Sequence, residues 1–332
     1  MIFAHKLKTL AVASMALAAA AISAQAGPLS IKIGWSQTPG HVAPLLFINK
    51  SLLKHYGKTY TVDAVRFRGS TAQLTALASG RLDIAALSAT ALDLAVTNAG
   101  IDARVVADVI QDRAPYWSSG FWVLKSSGIN KIEDLKGKRI ATNAIGSAID
   151  TSMRGMLHKH GLGNDDINTI EVSFGNMPAM LMSGKVDMAP ILPQFAALLD
   201  KSKVKEMFTS RDVTGPQQTV SLVSTKAFID KNRAAMVDFF EDYVRALRWF
   251  LDPANHKEAI EVVAKFTHRP IKRIDYAFTK DDYYRDPNGL PNLGYLQHAI
   301  DLGVKNKVIK KGIDVQKYAD LSVIKEAAKR IK

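Results

Sequence analysis

Between Leu29 and Trp35 apolar and polar residues alternate (LSIKIGW), the period of a strand with one buried face. The stretch TPGHVAPLLFINKSLLKHYG then reads as a helix with Pro and Gly at its start, and Tyr60–Phe67 (YTVDAVRF) as the next strand. In STAQLTALASG, Leu74, Leu77 and Ala78 recur at helical spacing, and Gly80 stands where a helix end favours a left-handed residue. Leu82, Ile84, Ala85, Ala86 and Leu87 follow as a short apolar run, the pattern of a parallel strand buried on both faces.

About a hundred residues later the phrase recurs: LASGRLDIAAL (77–87) is matched by LMSGKVDMAPI (181–191). Each copy reads as one helix–Gly–strand crossover, the unit from which parallel sheets are built. Two copies predict two similar α/β lobes. Around the second copy the same pattern continues: DLKGKRIATN with a strand through Ile140, a helix from Gly146-Ser147 stopped at Gly161, the strand INTIEVSFG, and a helix start at Asn176-Met177-Pro178. From Lys226 onward the chain turns helical.

The first residues form a separate segment. MIFAHKLK is basic, TLAVASMALAAAAI is a short apolar run, and Ala24-Gln25-Ala26 fits a small-x-small cleavage site. Residues 1–26 are therefore expected to be a secretory signal peptide, with a periplasmic mature chain beginning near Gly27. The chain has no cysteine, so neither a disulfide nor a lipid-modified N-terminal Cys is expected. The net charge is +13, and loss of Lys6 and Lys8 with the leader brings it to +11. That excess favours acidic partners, a small anion among them, or is simply a solvated basic surface, as in VKNKVIKKG. No basic run interleaved with aromatics points to nucleic acid.

Small or hydroxyl residues recur where strands give way to helices: Ser36-Gln37-Thr38, Gly69-Ser70-Thr71, Ser88-Ala89-Thr90, Gly146-Ser147 and Asn176. Any one of these is an ordinary N-cap. In an open α/β sheet, however, ligands bind beyond the carboxyl ends of strands, where helix N-termini offer free N–H groups and partial positive charge. Only a cleft between lobes gathers starts from both.

The order GW-SQTPGH, F-RGST, SGRLDIAALSATAL, DLKGKRIATNAIGS and SGKVDMAPILPQ resembles the periplasmic substrate-binding proteins of ABC importers, within them the nitrate/sulfonate/taurine and pyrimidine-precursor group. The resemblance covers roughly Leu29 to Lys226. It implies a type II two-lobed α/β fold, each lobe a mostly parallel sheet flanked by helices, joined by two crossing strands and closing on a small organic anion of sulfonate or aromatic carboxylate type. Lobe 1 is expected over 27–115 and 221–332 with the C-terminal helices, lobe 2 over 116–220, with crossings at Gly120–Ser127 and Thr219–Phe228. Asp83 and Asp187 are then structural residues. The expected ligand contacts are Trp35, Ser36, Gln37, His41, Ser70, Thr71, Ser88, Thr90, Arg113, Trp117, Gly146, Ser147, Asn176 and Gln194. Trp35, Tyr116 and Trp117 could supply a flat wall, His41 a donor to a carboxylate and Arg113 a bidentate clamp; packing or surface roles suit the aromatics and Arg113 equally, and for His41 a surface role is the commoner case.

The implied partners are an ABC permease and ATPase, with the binding protein a monomer and no cofactor or metal. An exported sensor domain would read the same way. An enzyme acting on a small heterocycle is the weaker alternative: HExxH, G-x-S-x-G and Walker A signatures are missing, and the cysteine-rich motif of the pyrimidine-synthesising relatives cannot exist here.

Overall fold

Two five-stranded sheets organise the chain. In this computed structural model, residues 27–331 other than residue 197 are described, and the expected signal peptide lies outside the described residues. The strands are β1 (Leu29–Trp35), β2 (Tyr60–Arg66), β3 (Ile84–Leu87), β4 (Ala103–Asp112), β5 (Gly120–Leu124), β6 (Arg139–Thr142), β7 (Asn168–Glu171), β8 (Met188–Ile191), β9 (Val204–Thr209) and β10 (Gln217–Thr225). The helices that matter near the cleft are α1 (Ala43–Leu46), α2 (Ser70–Ala78), α3 (Ala89–Thr97), α4 (Ala148–Lys159), α5 (Met177–Met182) and α6 (Pro193–Ala196). After them come α7 (Ser210–Thr214), α8 (Lys226–Lys231), α9 (Arg233–Leu251), α10 (His256–Thr267), α11 (Leu293–Lys305) and α12 (Ser322–Arg330).

The first sheet has the order β2-β1-β3-β10-β4 and the second β7-β6-β8-β5-β9. One order maps onto the other, with β10 in the first sheet at the place of β5 in the second. β1, β2 and β3 pair in parallel, as do β6, β7 and β8. β10 runs antiparallel to both β3 and β4, and β5 antiparallel to both β8 and β9. Four strands of each sheet thus point one way and one is reversed. The reversed strand is the one that has just arrived from the other lobe, so it starts where its neighbours end. β5 pairs wholly within the second sheet and β10 wholly within the first, which puts the crossings in residues 113–119 and 210–216.

The repeated phrase has a common geometry. Gly80 and Gly184 stand at φ +68° and +67°, a left-handed region that glycine enters without a Cβ penalty. The residues after them turn back onto the helix, Arg81 N–H donating to Ala76 O at 2.8 Å and Lys185 N–H to Met180 O at 2.9 Å. Each aspartate then ties its strand to the neighbouring one. Lys32 N–H donates to Asp83 Oδ2 and Arg139 N–H to Asp187 Oδ2, both at 2.8 Å, while Asp83 and Asp187 N–H donate back to Lys32 and Arg139 carbonyls. β3 and β8, which follow, are buried throughout, as their unbroken apolar runs require.

Among the C-terminal helices, α11 lies against β10 and α3, and α9 packs on α12. Asp242 of α9 anchors the loop before β2, its carboxylate accepting from the N–H of Lys54, His55 and Tyr56 and from Tyr60 Oη. No described helix is long and apolar enough to cross a membrane.

Candidate functional site

The strand ends of both sheets converge on one partly enclosed cavity. About 70 Å³ of it is open to the centre of a water-sized sphere, against the ~10–15 Å³ that one water needs on that measure. Its polar side chains are Ser36, Gln37, His41, Ser70, Ser119, Asn143, Ser147, Gln194, Thr219 and Tyr283; Ile110, Ile149, Phe174, Leu192 and Val220 make up its apolar wall. No Lys, Arg, Asp or Glu lines it among the described residues.

Three helix starts reach this region, and they are not alike. Ser88 caps α3, its Oγ accepting from Ala91 N–H at 3.2 Å, and Ser147 caps α4, accepting from Asp150 N–H at 3.3 Å. The first N–H groups of α2 have no side-chain cap, because Gly69 stands at the N-cap. Its backbone there is extended, φ −171°, so conformation does not demand glycine; space does. A Cβ on Gly69 would lie 2.9 Å from Asn143 Nδ2 and 3.0 Å from Ala144 Cβ, both in the second lobe. Gly69 therefore lets the lobes meet, and the first amide groups of α2, which no side chain caps, stand at the cavity wall with the partial positive charge of a helix start.

Much of the polar framework behind these groups is hydrogen-bonded, although Asp150 Oδ1 and Thr219 Oγ1 are buried without a partner. Gln73, fully buried, donates Nε2–H to Ser36 Oγ at 3.1 Å and accepts Ala86 N–H at 2.8 Å, tying α2 to β3 and to the turn after β1. Ser70 Oγ accepts Ser88 N–H, and Ser147 Oγ donates to Asn143 Oδ1 at 2.8 Å. Ser119, in the first crossing, shares a 2.6 Å hydrogen bond with Tyr283 Oη.

His41 is the one ionisable nitrogen base at the cavity. Its side chain is buried, and Nδ1 has no hydrogen-bond partner. Burial pushes its pKa down to about 4, with help from the nearby Arg285 cation, so the imidazole is neutral at physiological pH. Arg285 is itself locked: it donates to Asp282 Oδ2 and Tyr283 O, and across to Pro39 O at 2.9 Å and Gly40 O at 3.2 Å. It thereby fixes the turn that presents His41.

Of the residues expected from sequence, Ser36, Gln37, His41, Ser70, Ser147 and Gln194 line this cavity. Ser88 and Thr90 line a smaller, adjoining one and are engaged across the cleft, Ser88 Oγ with Gly146 O at 3.2 Å and Thr90 Oγ1 with Thr151 Oγ1 at 2.7 Å. Thr71 likewise donates to Ile145 O at 2.7 Å. These three hydroxyls join lobe to lobe. Gly146 lies outside the lining, its N–H spent on Asp150 Oδ2. Asn176 is exposed and caps nothing. Trp35 packs against Phe266, and Trp117 against the core, with its backbone N–H donating to Asp282 O and its indole N–H unpartnered. Arg113, the expected clamp, stacks 4.6 Å from the Tyr284 ring centroid instead, and Tyr116 packs edge-on to that ring. Sequence reasoning did not single out Asn143, Ser119, Gln73 or Tyr283. The motif IATNAIGS does contain Asn143 at a strand end; Tyr283 lies in a helical-tail segment with no local signal.

His55, Asp238 and Glu241 are grouped closely enough to hold a cation. Lys54, Arg245 and Arg330 already stand against those carboxylates, so the cluster works as a charge network of the fold.

Comparison with known proteins agrees with this architecture. A protein of Bacillus subtilis (strain 168) named as an aliphatic sulfonates-binding protein is 27% identical over 278 residues, which span 79% of this chain and 77% of that protein. The alkanesulfonate-binding protein SsuA from Xanthomonas axonopodis pv. citri, solved with MOPS bound, superposes with TM-score 0.68 at 19% identity over 90% of this chain and all of that one. A desulfurization enzyme, DSZB, shares the fold at TM-score 0.62 and 14% identity, over 92% of this chain and 100% of the other. The profile described as NMT1/THI5 like matches residues 61–256, more than half of the sequence. That match runs through both five-stranded lobes, and the chain belongs to the NMT1/THI5-like family.

Proposed function

We propose that the protein is the solute-binding component of an ABC importer, holding a small organic sulfonate between its lobes and delivering it to a membrane permease. The supporting observation is the cavity itself: a partly enclosed space with the uncapped start of α2 at one wall, neutral polar and apolar side chains around the remainder and no Lys, Arg, Asp or Glu in the lining. Fixed neutral donors suit a head group that stays ionised at every physiological pH, and the apolar wall suits a short hydrocarbon body. A carboxylate usually draws a guanidinium fork, and the arginine expected to supply one lies against Tyr284. The named functions of the B. subtilis and Xanthomonas relatives lend support to the sulfonate class.

Binding without chemistry is part of this reading. The chain has no cysteine for thiol chemistry, and the cavity pairs no general acid with a general base: its ionisable groups are a neutral His41 and Tyr283, whose phenol burial pushes well above its usual range. Export through the leader at residues 1–26, and action as a monomer, belong to the same proposal.

A thermal-shift screen of the leaderless protein against short alkanesulfonates, matched carboxylates and inorganic anions tests it. A sulfonate at a hundred times its Kd adds about 2.7 kcal/mol of stability. Recovery of that ligand unchanged by mass spectrometry is the expected companion result. Stabilisation by carboxylates alone, or any turnover, overturns the reading.

A further inference from the structure

A groove of about 270 Å³ adjoins the inner cavity and shares Gln37, Asn143 and Phe174 with it; Arg66, Phe67, Arg68 and Ser173 complete its lining. Arg68 is committed to Glu171, with Nη1 3.0 Å from its carboxylate. Arg66 has no acid partner among the described residues; its guanidinium lies 5.6 Å from the Trp35 ring centroid, and Nε donates to Ser36 O. Trp35 in turn meets Phe266 at 5.8 Å between ring centroids. Just beyond Phe266, α10 ends at His268 in the left-handed region, φ +54°, where a non-glycine side chain is strained. That turn delivers Arg269 onto the Phe195 ring of the second lobe, 4.9 Å from its centroid and next to Gln194 of the inner cavity.

Arg269 is a cation with unmet needs. It is half-buried, Nη1 is buried without a hydrogen-bond partner, and no carboxylate pairs with it among the described residues. Lost hydration lowers its pKa first; Tyr276 opposes that shift, and the charges of Arg66 and Arg273 add to it. Gathering cations without acids costs stability, and a folded protein keeps such a cluster where an anion relieves it. Strain at His268 and an orphaned donor at Arg269 mark the same spot.

We infer that Arg66 and Arg269 form a second anion-binding site at the mouth of the cleft, which receives a tetrahedral oxyanion head before the lobes close on the inner cavity. Arg269 comes from the C-terminal helical part and rests on the second lobe, so an anion there bridges both lobes. A cationic mouth also raises the capture rate of an anionic solute, and that gain falls with added salt.

The site is testable whatever the inner cavity holds. Trp35 reports on it, so inorganic sulfate is titrated into the leaderless protein at constant ionic strength while tryptophan emission is followed. A saturable change is expected that disappears in Trp35→Phe. In Arg269→Gln the half-saturating sulfate concentration rises at least about tenfold, Arg269→Lys recovers part of the loss, and Arg66→Gln, should Arg269→Gln fail to fold, shows the same weakening. Ile149→Phe, which fills the inner cavity, leaves the sulfate response unchanged. A response absent in wild type, equal in wild type and both glutamine variants, or abolished by Ile149→Phe overturns the inference. Failure of sulfonates to bind the inner cavity leaves this result untouched, so the two claims fail separately.

Discussion

The two lobes are built alike and finished differently. Each has the same strand order, the same left-handed glycine and the same aspartate tying the last-formed parallel strand to its neighbour. The equivalent helix starts after β2 and β7 nevertheless diverge. In the first lobe Gly69 leaves the amides of α2 open against the partner lobe; in the second Asn176 begins α5 at an exposed position away from the cavity. The aspartates diverge too. Asp187 also receives the Arg139 guanidinium, which holds its carboxyl below the usual range, whereas burial pushes Asp83 above it. The repeat builds the scaffold, and the proposed binding site lies where the copies stop matching.

The strongest way to break this comparison is to substitute the two equivalent helix starts. Gly69→Val places a side chain where the lobes meet, at an overpacking cost of about 1–3 kcal/mol that falls on the closed form, and up to about a hundredfold in ligand affinity. Asn176→Val changes affinity by less than about twofold, since nothing at the cavity is touched. Calorimetric titration of both with the best sulfonate from the screen compares them directly; equal losses would show that the lobes contribute alike.

Next in size are the aspartates. Asp187→Ala removes an acceptor of charge-assisted bonds and is expected to destabilise the protein by about 1–3 kcal/mol, more than Asp83→Ala, as read by denaturant unfolding. The pH dependence runs in opposite senses. With its folded pKa lowered, Asp187 contributes stability above the ordinary carboxylate range that is lost as pH falls through the folded value. Asp83, and Asp108 of β4, which burial raises to about 7, contribute stability in acid that is lost as pH rises, for Asp108 through neutrality. Hydrogen-exchange protection factors, corrected for the intrinsic pH dependence of amide exchange, should therefore fall in acid at β8 and fall toward neutral and above at β3 and β4. Parallel behaviour in both sheets would remove the contrast.

Why part of this was legible beforehand follows from range. Gly80 and Gly184, the apolar runs of β3 and β8, and the caps at Ser88 and Ser147 depend on neighbours a few residues away, so spacing alone reveals them. Ser36, Gln37, Ser70 and Ser147 are likewise accessible from a single rule about strand ends, and His41 from the resemblance of its spacing to Trp35. The role of Gly69 depends on Asn143 and Ala144, and that of Ser119 on Tyr283, contacts made only after both lobes fold. Arg113 beside aromatic residues gave no sign of which face it would take, and the ring it stacks on lies far along the chain.

The smallest effects are those of truncating the two serine caps to alanine. Ser88→Ala loses a cap and the bond to Gly146 O, a joint cost of about 1–2 kcal/mol in the closed form, while Ser147→Ala loses a cap and the Asn143 contact at the cavity wall itself. Affinity should fall modestly in both, and Ser147→Asp, which sets a carboxylate among the donors, should fall much further. Unchanged affinity in Ser147→Asp would place the anion elsewhere.

The central claim, that neutral donors hold the ionised head, is tested most directly by titration calorimetry of a short alkanesulfonate across pH. His41 stays uncharged well above its pKa of about 4, so between about pH 5.5 and 8.5 the Kd should change by less than about twofold. A Kd that weakens by about tenfold or more toward the alkaline end would show that a protonated imidazole carries the binding, and would contradict the account.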